Sequence, residues 1–292
     1  PRELSPMNTT SQTWGWQSAY PAPAKLNLFL HVVGRRADGY HLLQTVFRFL
    51  GHGDSLYFAP RADGAVRLAT PLPGVPAEDD LTVRAASLLQ TATGCRAGVD
   101  IRIEKHLPLG GGLGGGSSDA ATVLLALNHL WRLALPRSRL QEIGLALGAD
   151  VPVFLFGHNA FAEGIGETLQ AVELPPCWYV VLEPPVQIPT AAIFGARELK
   201  RDSLPIAPRD WRPGFGGNDL ETVACARFPT VAEHLACLSA LSPARMSGSG
   251  ACVFAEFASR RQAEAALRQL PKGVRGWAAA GLAEHPLLGL SN

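Results

Sequence analysis

A chain of 292 residues, 47% of them apolar, is long enough for one large domain or two ordinary ones. Its net charge of +1 gives no electrostatic reason to expect nucleic acid or a membrane surface as a partner, and no run of about 18 apolar residues predicts a membrane span. The five cysteines are scattered without a C-x-x-C pair, and the eight histidines lack zinc-site spacing. We therefore expect reduced thiols and a cytoplasmic location.

The order of the predicted elements indicates an α+β protein with two domains. We expect residues 1–18 to be a loosely held extension, with residues 1–6 added before a native start at Met7, and we place the domains at 19–170 and 171–292. Strands are predicted at Ala24–Val33, Gln44–Leu50, Ser55–Pro60, Ala65–Thr70, 99–103, Trp178–Leu182, Cys252–Phe257 and Val274–Ala280. Helices are predicted at Asp79–Ala92, from the glycine-rich loop to about Leu133, and at Arg137–Leu147, Thr190–Leu199, Asp219–Arg227, Thr230–Leu241 and Arg260–Leu270.

A glycine-rich loop is the most informative segment, with six glycines in the seven positions 110–116. Glycine adopts positive φ without steric cost, so successive N–H groups of such a loop can point into one concavity. Ser117, Ser118 and Asp119 favour a helix start directly behind it. A flexible linker is the alternative, but a strand precedes this loop and an apolar helix follows. The context therefore predicts an anion site at a helix N-terminus, for a nucleotide polyphosphate.

The loop fits neither of two well-known phosphate motifs. No lysine lies between Lys105 and Lys200, which excludes a Walker loop here. The glycines satisfy G-x-G-x-x-G, but a segment with so many glycines matches this pattern by chance. The first acidic residue after Asp119 is Glu142, which comes too late in the sequence to bind a dinucleotide ribose. A Rossmann oxidoreductase is therefore the weakest interpretation.

Two polar positions lie in apolar surroundings. Lys25 and Asn27 project from the same face of their predicted strand, where a buried lysine would need an anion and an edge lysine would be solvated. Asp150 is the only acidic residue among many apolar neighbours. It is either a helix cap or ion-pair partner, or a base that deprotonates a substrate hydroxyl beside Lys25. The residue pattern leaves these alternatives open.

Aromatic and small residues supply two further candidates. Tyr40 and His41 follow a turn and Phe194 begins a helix, so the three could hold a base or sugar, although core packing is the simpler interpretation. The loop 247–250 is either a plain turn or a second small-residue loop over the same nucleotide.

Several segments together resemble one family, the GHMP kinases. Residues 23–27 are similar to the first motif of that family, residues 108–121 to its ATP phosphate loop, and residues 247–251 to its third motif. Residues 36–45, 147–154 and 188–190 resemble the branch that phosphorylates 4-diphosphocytidyl-2-C-methyl-D-erythritol. The resemblance runs from about Pro21 to the C-terminus.

The resemblance implies a two-domain GHMP kinase fold, with a ribosomal-protein-S5-like N-terminal domain, a ferredoxin-like C-terminal domain and an active site in the cleft between them. It implies transfer of a phosphoryl group from ATP, with Mg²⁺, to the 2-hydroxyl of the methylerythritol unit, in non-mevalonate isoprenoid synthesis. The partners would be ATP and the cytidyl substrate, with no nucleic acid and no membrane, and the protein would be a monomer or weak homodimer. The protein ligands of the metal stay unknown.

The same resemblance implies roles for individual residues. Asp150 matches the catalytic aspartate, Lys25 its partner and Asn27 a residue that positions the substrate. The cytosine pocket would comprise Tyr40 and Phe194 as sandwiching aromatics, His41 as reader of the base edge, and Thr190 beside them. The ATP site would comprise Lys105, Pro108, Leu109, Gly110, Gly111, Gly112, Leu113, Gly114, Gly115, Gly116, Ser117 and Ser118. Asp80 departs from the family pattern, which has asparagine near the adenine pocket.

Two rival functions remain. A GHMP kinase for another small alcohol, such as mevalonate, is disfavoured by Tyr40 and His41. A non-catalytic nucleotide-binding sensor is disfavoured by the presence of both Lys25 and Asp150.

Overall fold

Two β-sheets organise the chain in the computed structural model, which describes residues 14–69, 71 and 76–290. The first sheet has six strands: β1 (Tyr20–Arg35), β2 (His41–Arg61), β3 (Val66–Leu68), β4 (Gly98–Glu104), β5 (Ala160–Glu163) and β6 (Thr168–Ala171). Strand β2 is central, because it pairs antiparallel with β1, β4 and β5. Strand β3 is parallel to β4, and β6 is antiparallel to β5. The helices of this half are α1 (Leu81–Thr93), α2 (Gly115–Leu130), α3 (Arg137–Leu145) and α4 (Val151–Phe156).

The second sheet has four antiparallel strands in the order β10-β7-β9-β8. They are β7 (Trp178–Leu182), β8 (Ala244–Met246), β9 (Val253–Phe257) and β10 (Gly276–Ala280). The helices are α5 (Thr190–Phe194), α6 (Glu221–Arg227), α7 (Pro229–Ser239) and α8 (Arg260–Arg268), with short 3₁₀ turns at Pro208–Asp210 and Leu288–Leu290. This strand order, with crossover helices after β7 and β9, is the ferredoxin-like arrangement that the sequence resemblance implies. The expected α+β class is confirmed.

Three apolar clusters show how the layers stack. One cluster joins α1, α2 and α4 to the first sheet, and a second joins α5–α8 to the second sheet. The third lies between the sheets, where Leu26 and Phe29 of β1 share a cluster with Val181 of β7 and Phe254 of β9. Because strand β1 lies between helices and the second sheet, both of its faces are buried from Ala22 to Leu30.

Several predicted boundaries are wrong. The two strands predicted within 44–60 are one strand, β2, and β1 begins four residues earlier than expected. The strand predicted at Ala65–Thr70 is only β3, and Thr70 lies outside the described residues. Helix α5 ends at Phe194 rather than Leu199, so Phe194 ends a helix and does not begin one. Strands β5, β6 and β8 were not predicted at all. These three strands have three or four residues each, too few for a two-residue alternation to stand out.

The domain boundary at residue 170 stays a prediction, although the first sheet ends at Ala171 and the second begins at Trp178. The chain also returns to the first half, because Leu287 and Leu290 belong to the cluster that contains α2. Of the expected N-terminal extension, residues 1–13 lie outside the described residues. Trp14 is described, and its ring stacks on Tyr20 with 5.1 Å between centroids.

Candidate active site

A cavity of about 1020 Å³ receives residues from both halves of the chain. Its lining includes nearly every residue predicted from the sequence: Lys25, Asn27, Tyr40, His41, Lys105, Asp150, Thr190, Phe194 and all of Pro108 to Ser117. Ser118 is the exception. It is fully buried and its hydroxyl donates to the carbonyl of Pro23 at 2.8 Å, so it fastens α2 to β1 instead of facing the cavity.

The glycine-rich loop is held through its carbonyl groups. The amide of Cys252 donates to the Gly111 carbonyl at 3.1 Å, and the amide of Lys25 donates to the Leu113 carbonyl at 2.9 Å. Between them, the Ser247 hydroxyl donates to the Gly112 carbonyl at 2.9 Å. Successive carbonyls are therefore directed into the protein by three different partners.

The amides of the same loop have no such partners. Within the described ranges, none of the N–H groups of residues 110–117 donates to a protein acceptor. Gly110, Gly112 and Gly114 have φ of +68°, +74° and +71°, and this alternation of left-handed residues turns successive amides toward one side. The loop is therefore a cradle of unpaired donors on a cavity wall, which is the requirement for binding phosphate oxygens.

Helix α2 begins earlier than its sequence predicts. Ser117 and Ser118 were expected to start it, but the helix starts at Gly115 and its N-cap is Gly114, without a side-chain cap. The amides of the first turn are consequently available to donate hydrogen bonds to a ligand, and the positive end of the helix dipole faces the same cavity. The propensity of serine for caps misled the prediction, because the Ser118 hydroxyl donates to the Pro23 carbonyl and Ser117 lies on the cavity wall.

Lys25 and Asp150 form an ion pair on the wall of this cavity. Their Nζ and Oδ2 atoms are 3.1 Å apart, with the lysine side chain 3% exposed and the aspartate side chain 35% exposed. The Lys25 ammonium also donates to Oδ1 of Asn27 at 2.6 Å, and Asn27 in turn donates to the Thr45 hydroxyl at 3.0 Å. The buried-lysine interpretation is therefore correct. Asp150 immediately precedes α4, but its side chain does not cap that helix.

The loop 247–250 is the third component of the site, termed the third loop, and it packs directly on the glycine cradle. Ser247 accepts from the amide of Asn27 at 3.2 Å while it donates to Gly112. Asn218, a buried residue that sequence reasoning missed, donates to the carbonyls of Met246 at 2.9 Å and Gly248 at 2.7 Å. A lone asparagine in a loop rich in proline, arginine and glycine gave no sequence signal for this role.

Lys105 lies at the start of the loop between two buried carboxylates. Its ammonium donates to Asp119 at 2.8 Å and also to Asp54, whose other oxygen accepts from the amides of His106 and Leu107. Burial is the main reason why the pKa of Asp119 is raised to about 7, and the nearby Asp54 adds to it, while Lys105 opposes the change. Asp54 was missed because it is 51 residues from Lys105 in the sequence.

The other end of the cavity carries the aromatic residues. Tyr40 is 59% exposed, and the rings of His41 and Phe194 are 5.0 Å apart at 34°. Burial, and then the charges of Arg201 and Arg35, lower the pKa of His41, so its ring is neutral at neutral pH. Thr190 reaches the third loop through a 2.9 Å contact between its hydroxyl and that of Ser249.

Asp80 has a structural task. Its carboxylate caps α1 by accepting from the Thr82 amide at 2.8 Å and from the Thr82 hydroxyl. Asp80 itself does not line the cavity, whereas the next residue, Leu81, does. Aspartate at position 80, where the family pattern has asparagine, therefore serves as a helix cap next to the cavity wall.

The donor set limits how a metal ion can be bound. Over the described part of the chain, no group of three or more His, Cys, Asp or Glu side chains could hold a metal. Asp38 and Asp150 are the only carboxylates on the cavity wall as described. Mg²⁺ usually keeps several waters and binds one or two protein oxygens together with substrate phosphates. The residues present fit an ion of that kind, with Asp150 and the Ser117 hydroxyl as available oxygens.

Comparison with known proteins identifies the class to which this fold belongs. The family model for the N-terminal domain of GHMP kinases matches residues 80–158, and that for the C-terminal domain matches residues 212–276. Fold and cavity thus define a small-molecule kinase of the GHMP type.

Individual relatives define a narrower family within this class. The 4-diphosphocytidyl-2-C-methyl-D-erythritol kinase of Dechloromonas aromatica is 66% identical over 93% of this chain and all of its own length. A crystal structure of 4-(cytidine 5'-diphospho)-2C-methyl-D-erythritol kinase superposes with a TM-score of 0.75 at 37% identity, over 90% of this chain and 99% of that one. The chain belongs to the 4-diphosphocytidyl-2-C-methyl-D-erythritol kinase family.

The fold extends beyond this family. The mevalonate kinase of Methanococcus jannaschii superposes with a TM-score of 0.65 over 91% of this chain and 98% of its own, at 13% identity. This likeness concerns the fold alone.

The described residues contain no helix with the length and apolar character needed to cross a membrane.

Substitution of Gly112 tests the close packing of the loops. A Cβ at Gly112 would lie 2.1 Å from the Ser247 carbonyl oxygen, whereas a Cβ at Gly110 meets nothing within 4 Å, although both residues have positive φ. We expect Gly112→Ala to weaken ATP binding about tenfold more than Gly110→Ala, because only the former displaces the third loop. Isothermal titration of the two variants with ATP gives the comparison, and equal losses would contradict the contact.

Asp119 predicts a pH dependence of stability. Its folded pKa of about 7 lies above the ordinary value of 3.8, so the folded chain binds more protons than the unfolded chain between these values. The stabilisation is complete below pH 4 and is lost as pH rises through 7, by up to about 1.4 kcal/mol per unit. Urea unfolding from pH 4 to pH 8 should therefore show a steeper fall for the wild type than for Asp119→Asn. Parallel curves would refute the shift.

Proposed function

We propose that this chain transfers the γ-phosphoryl group of ATP to the 2-hydroxyl of 4-diphosphocytidyl-2-C-methyl-D-erythritol, as a step of isoprenoid synthesis. One observation carries the proposal. A loop of unpaired amides and the Lys25–Asp150 ion pair line the same cavity, together with an aromatic end. The names of the relatives support the choice of substrate, because a kinase of that substrate is 66% identical over 93% of this chain.

In this proposal Asp150 is the base. The substrate hydroxyl oxygen forms a bond to the γ-phosphorus while the bond from that phosphorus to the β,γ-bridging oxygen breaks and ADP leaves. The hydroxyl proton passes to the Asp150 carboxylate, and no phosphoenzyme forms. Of the two described carboxylates on the cavity wall, Asp38 lies at the aromatic end, where it accepts from the Tyr40 amide, whereas Asp150 pairs with Lys25 beside the cradle.

Lys25 would orient that base and stabilise charge on the transferring group. Its side chain is packed against the cradle, since a Cβ at Gly114 would lie 3.0 Å from both its Cε and its Cγ. Asn27, assigned from the resemblance as a substrate-positioning residue, is buried and holds the Lys25 ammonium. We therefore propose that Asn27 acts through Lys25, by fixing where its charge lies.

The cradle would bind the phosphates of ATP. Each charge-assisted hydrogen bond from its amides contributes about 1.5–3 kcal/mol. Bound Mg²⁺ would neutralise phosphate charge, with the Ser117 hydroxyl as the available protein oxygen that the proposed base leaves free. Lys105 lies beside the start of α2, because a Cβ at Gly115 would be 3.6 Å from its Nζ. Its positive charge supports the predicted role of Lys105 in the ATP site.

A substrate panel tests the proposed function against its rivals. Release of ADP should be rapid with ATP and the cytidyl substrate and negligible with mevalonate, since mevalonate lacks a base for the aromatic end. ADP release with mevalonate alone would favour a kinase of another alcohol. The absence of ADP release with every acceptor would favour a nucleotide-binding sensor.

Replacement of Asp150 tests the base. Asp150→Asn should lower kcat by about 10³-fold, because the amide cannot accept the proton, while ATP binding is retained. Asp38→Asn, the other carboxylate on the wall, is the matched control and should leave kcat within about twofold of the wild type. Stopped-flow turnover and ATP titration measure the two effects. A kcat near that of the wild type in Asp150→Asn would remove the base from this account.

Replacement of Tyr40 tests the aromatic end. Tyr40→Ala should raise KM for the cytidyl substrate about tenfold, because base–aromatic stacking contributes about 1–3 kcal/mol, and should leave KM for ATP unchanged. Because Tyr40 is exposed, the change should not affect folding. Steady-state kinetics with each substrate varied in turn would detect this split, and an unchanged KM for the cytidyl substrate would exclude stacking on Tyr40.

A further inference from the structure

Arg201 connects the two sides of the aromatic end without lining the cavity itself. Its Nε–H donates to Nε2 of His41 at 3.0 Å. Its two terminal nitrogens donate to the carbonyls of Leu199 at 2.9 Å, Phe194 at 2.9 Å and Ala196 at 2.6 Å. No carboxylate pairs with this guanidinium in the described ranges, so its contacts are all to neutral acceptors.

The contact with His41 fixes which ring nitrogen carries hydrogen. A guanidinium is always a donor, so Nε2 of His41 must accept with its lone pair. The neutral ring then carries its hydrogen on Nδ1, which becomes the only ring nitrogen left for a ligand. The same guanidinium, together with Arg35, opposes a second proton on the ring. His41 is thereby held in one tautomer, as a neutral donor.

The contacts with the carbonyls fix the position of Phe194. This residue ends α5, a helix of only five residues whose last carbonyls lack intrahelical partners. Arg201 supplies donors to two carbonyls of this turn, at Phe194 and Ala196. One guanidinium therefore sets both the tautomer of His41, at the start of β2, and the place of the aromatic ring 5.0 Å from it.

We infer that Arg201 is a positioning residue for the nucleobase, which holds His41 as an Nδ1–H donor beside Phe194 and so selects cytosine over uracil. The inference rests on the proposed function, since it assumes the cytidyl substrate. Ring nitrogen N3 of cytosine is a bare acceptor, whereas N3 of uracil carries a hydrogen. A donor that cannot change tautomer pairs with the first and opposes the second, because two donors would face each other.

The experiment combines a spectrum with kinetics. Nitrogen-15 NMR of the imidazole of His41 in the wild type reports the tautomer without any substrate. Arg201→Met removes all the donors, Arg201→Lys keeps the charge and one donor group, and Arg197→Met is the control, because Arg197 is exposed on the same segment. Each protein is assayed with ATP and either the cytidyl substrate or its diphosphouridyl analogue.

We expect the wild type to show the Nδ1–H tautomer and Arg201→Met to show a mixture. In Arg201→Met, KM for the cytidyl substrate should rise about tenfold, with kcat and KM for ATP within about twofold, and the preference over the uridyl analogue should fall by a similar factor. Arg201→Lys should recover part of the loss, and Arg197→Met should match the wild type.

The outcomes separate this inference from the proposed function. A wild-type protein that turns over the cytidyl substrate but shows His41 protonated on Nε2, or on both nitrogens, at pH 7 overturns the inference, whether or not the methionine variant folds. An unchanged KM and base preference in Arg201→Lys and Arg201→Met would overturn it as well. A wild-type protein that does not phosphorylate the cytidyl substrate overturns the proposed function instead.

Discussion

The carbonyls of Gly111, Gly112 and Leu113 are bound by the protein, and this constraint determines the rest of the site. A glycine-rich loop without such contacts would have no fixed direction for its amides. Here the amides of Cys252 and Lys25 and the hydroxyl of Ser247 hold the three carbonyls from behind. The amides are therefore turned to the cavity before any ligand arrives, which lowers the entropy cost of binding phosphate.

The same contacts also place the Lys25–Asp150 ion pair beside the cradle. The backbone of Lys25 binds the loop while its side chain reaches Asp150, so the position of the ion pair follows from the position of the cradle. Ser247 adds the second half of the chain to this arrangement, because it bonds both Asn27 and Gly112. The phosphate cradle, the ion pair and the third loop thus form one hydrogen-bonded unit, and a shift of any one of them would move the others.

The sequence was sufficient for the elements with strong local signals. Glycine density predicted the cradle. The apolar surroundings of Asp150 left a helix cap, an ion pair and a base open, and the structure shows the ion pair with Lys25. The sequence could not decide whether Lys25 was buried, because strand alternation does not reveal that the second sheet covers the outer face of β1. It placed the start of α2 too late, since the helix begins at Gly115 without a side-chain cap and Ser118 donates to Pro23 instead. Asp54, Asn218 and Arg201 were missed because each acts on residues more than 25 positions away, through contacts that only the fold creates.

The most direct test of this account is a crystal structure with a non-hydrolysable ATP analogue and the cytidyl substrate bound together. The account predicts that the triphosphate lies on the amides of residues 110–117 and that the substrate 2-hydroxyl lies within about 2.6–3.2 Å of an Asp150 carboxylate oxygen, in line with the γ-phosphorus. A complex in which the acceptor hydroxyl is bound away from Asp150, or the triphosphate away from the cradle, would contradict it.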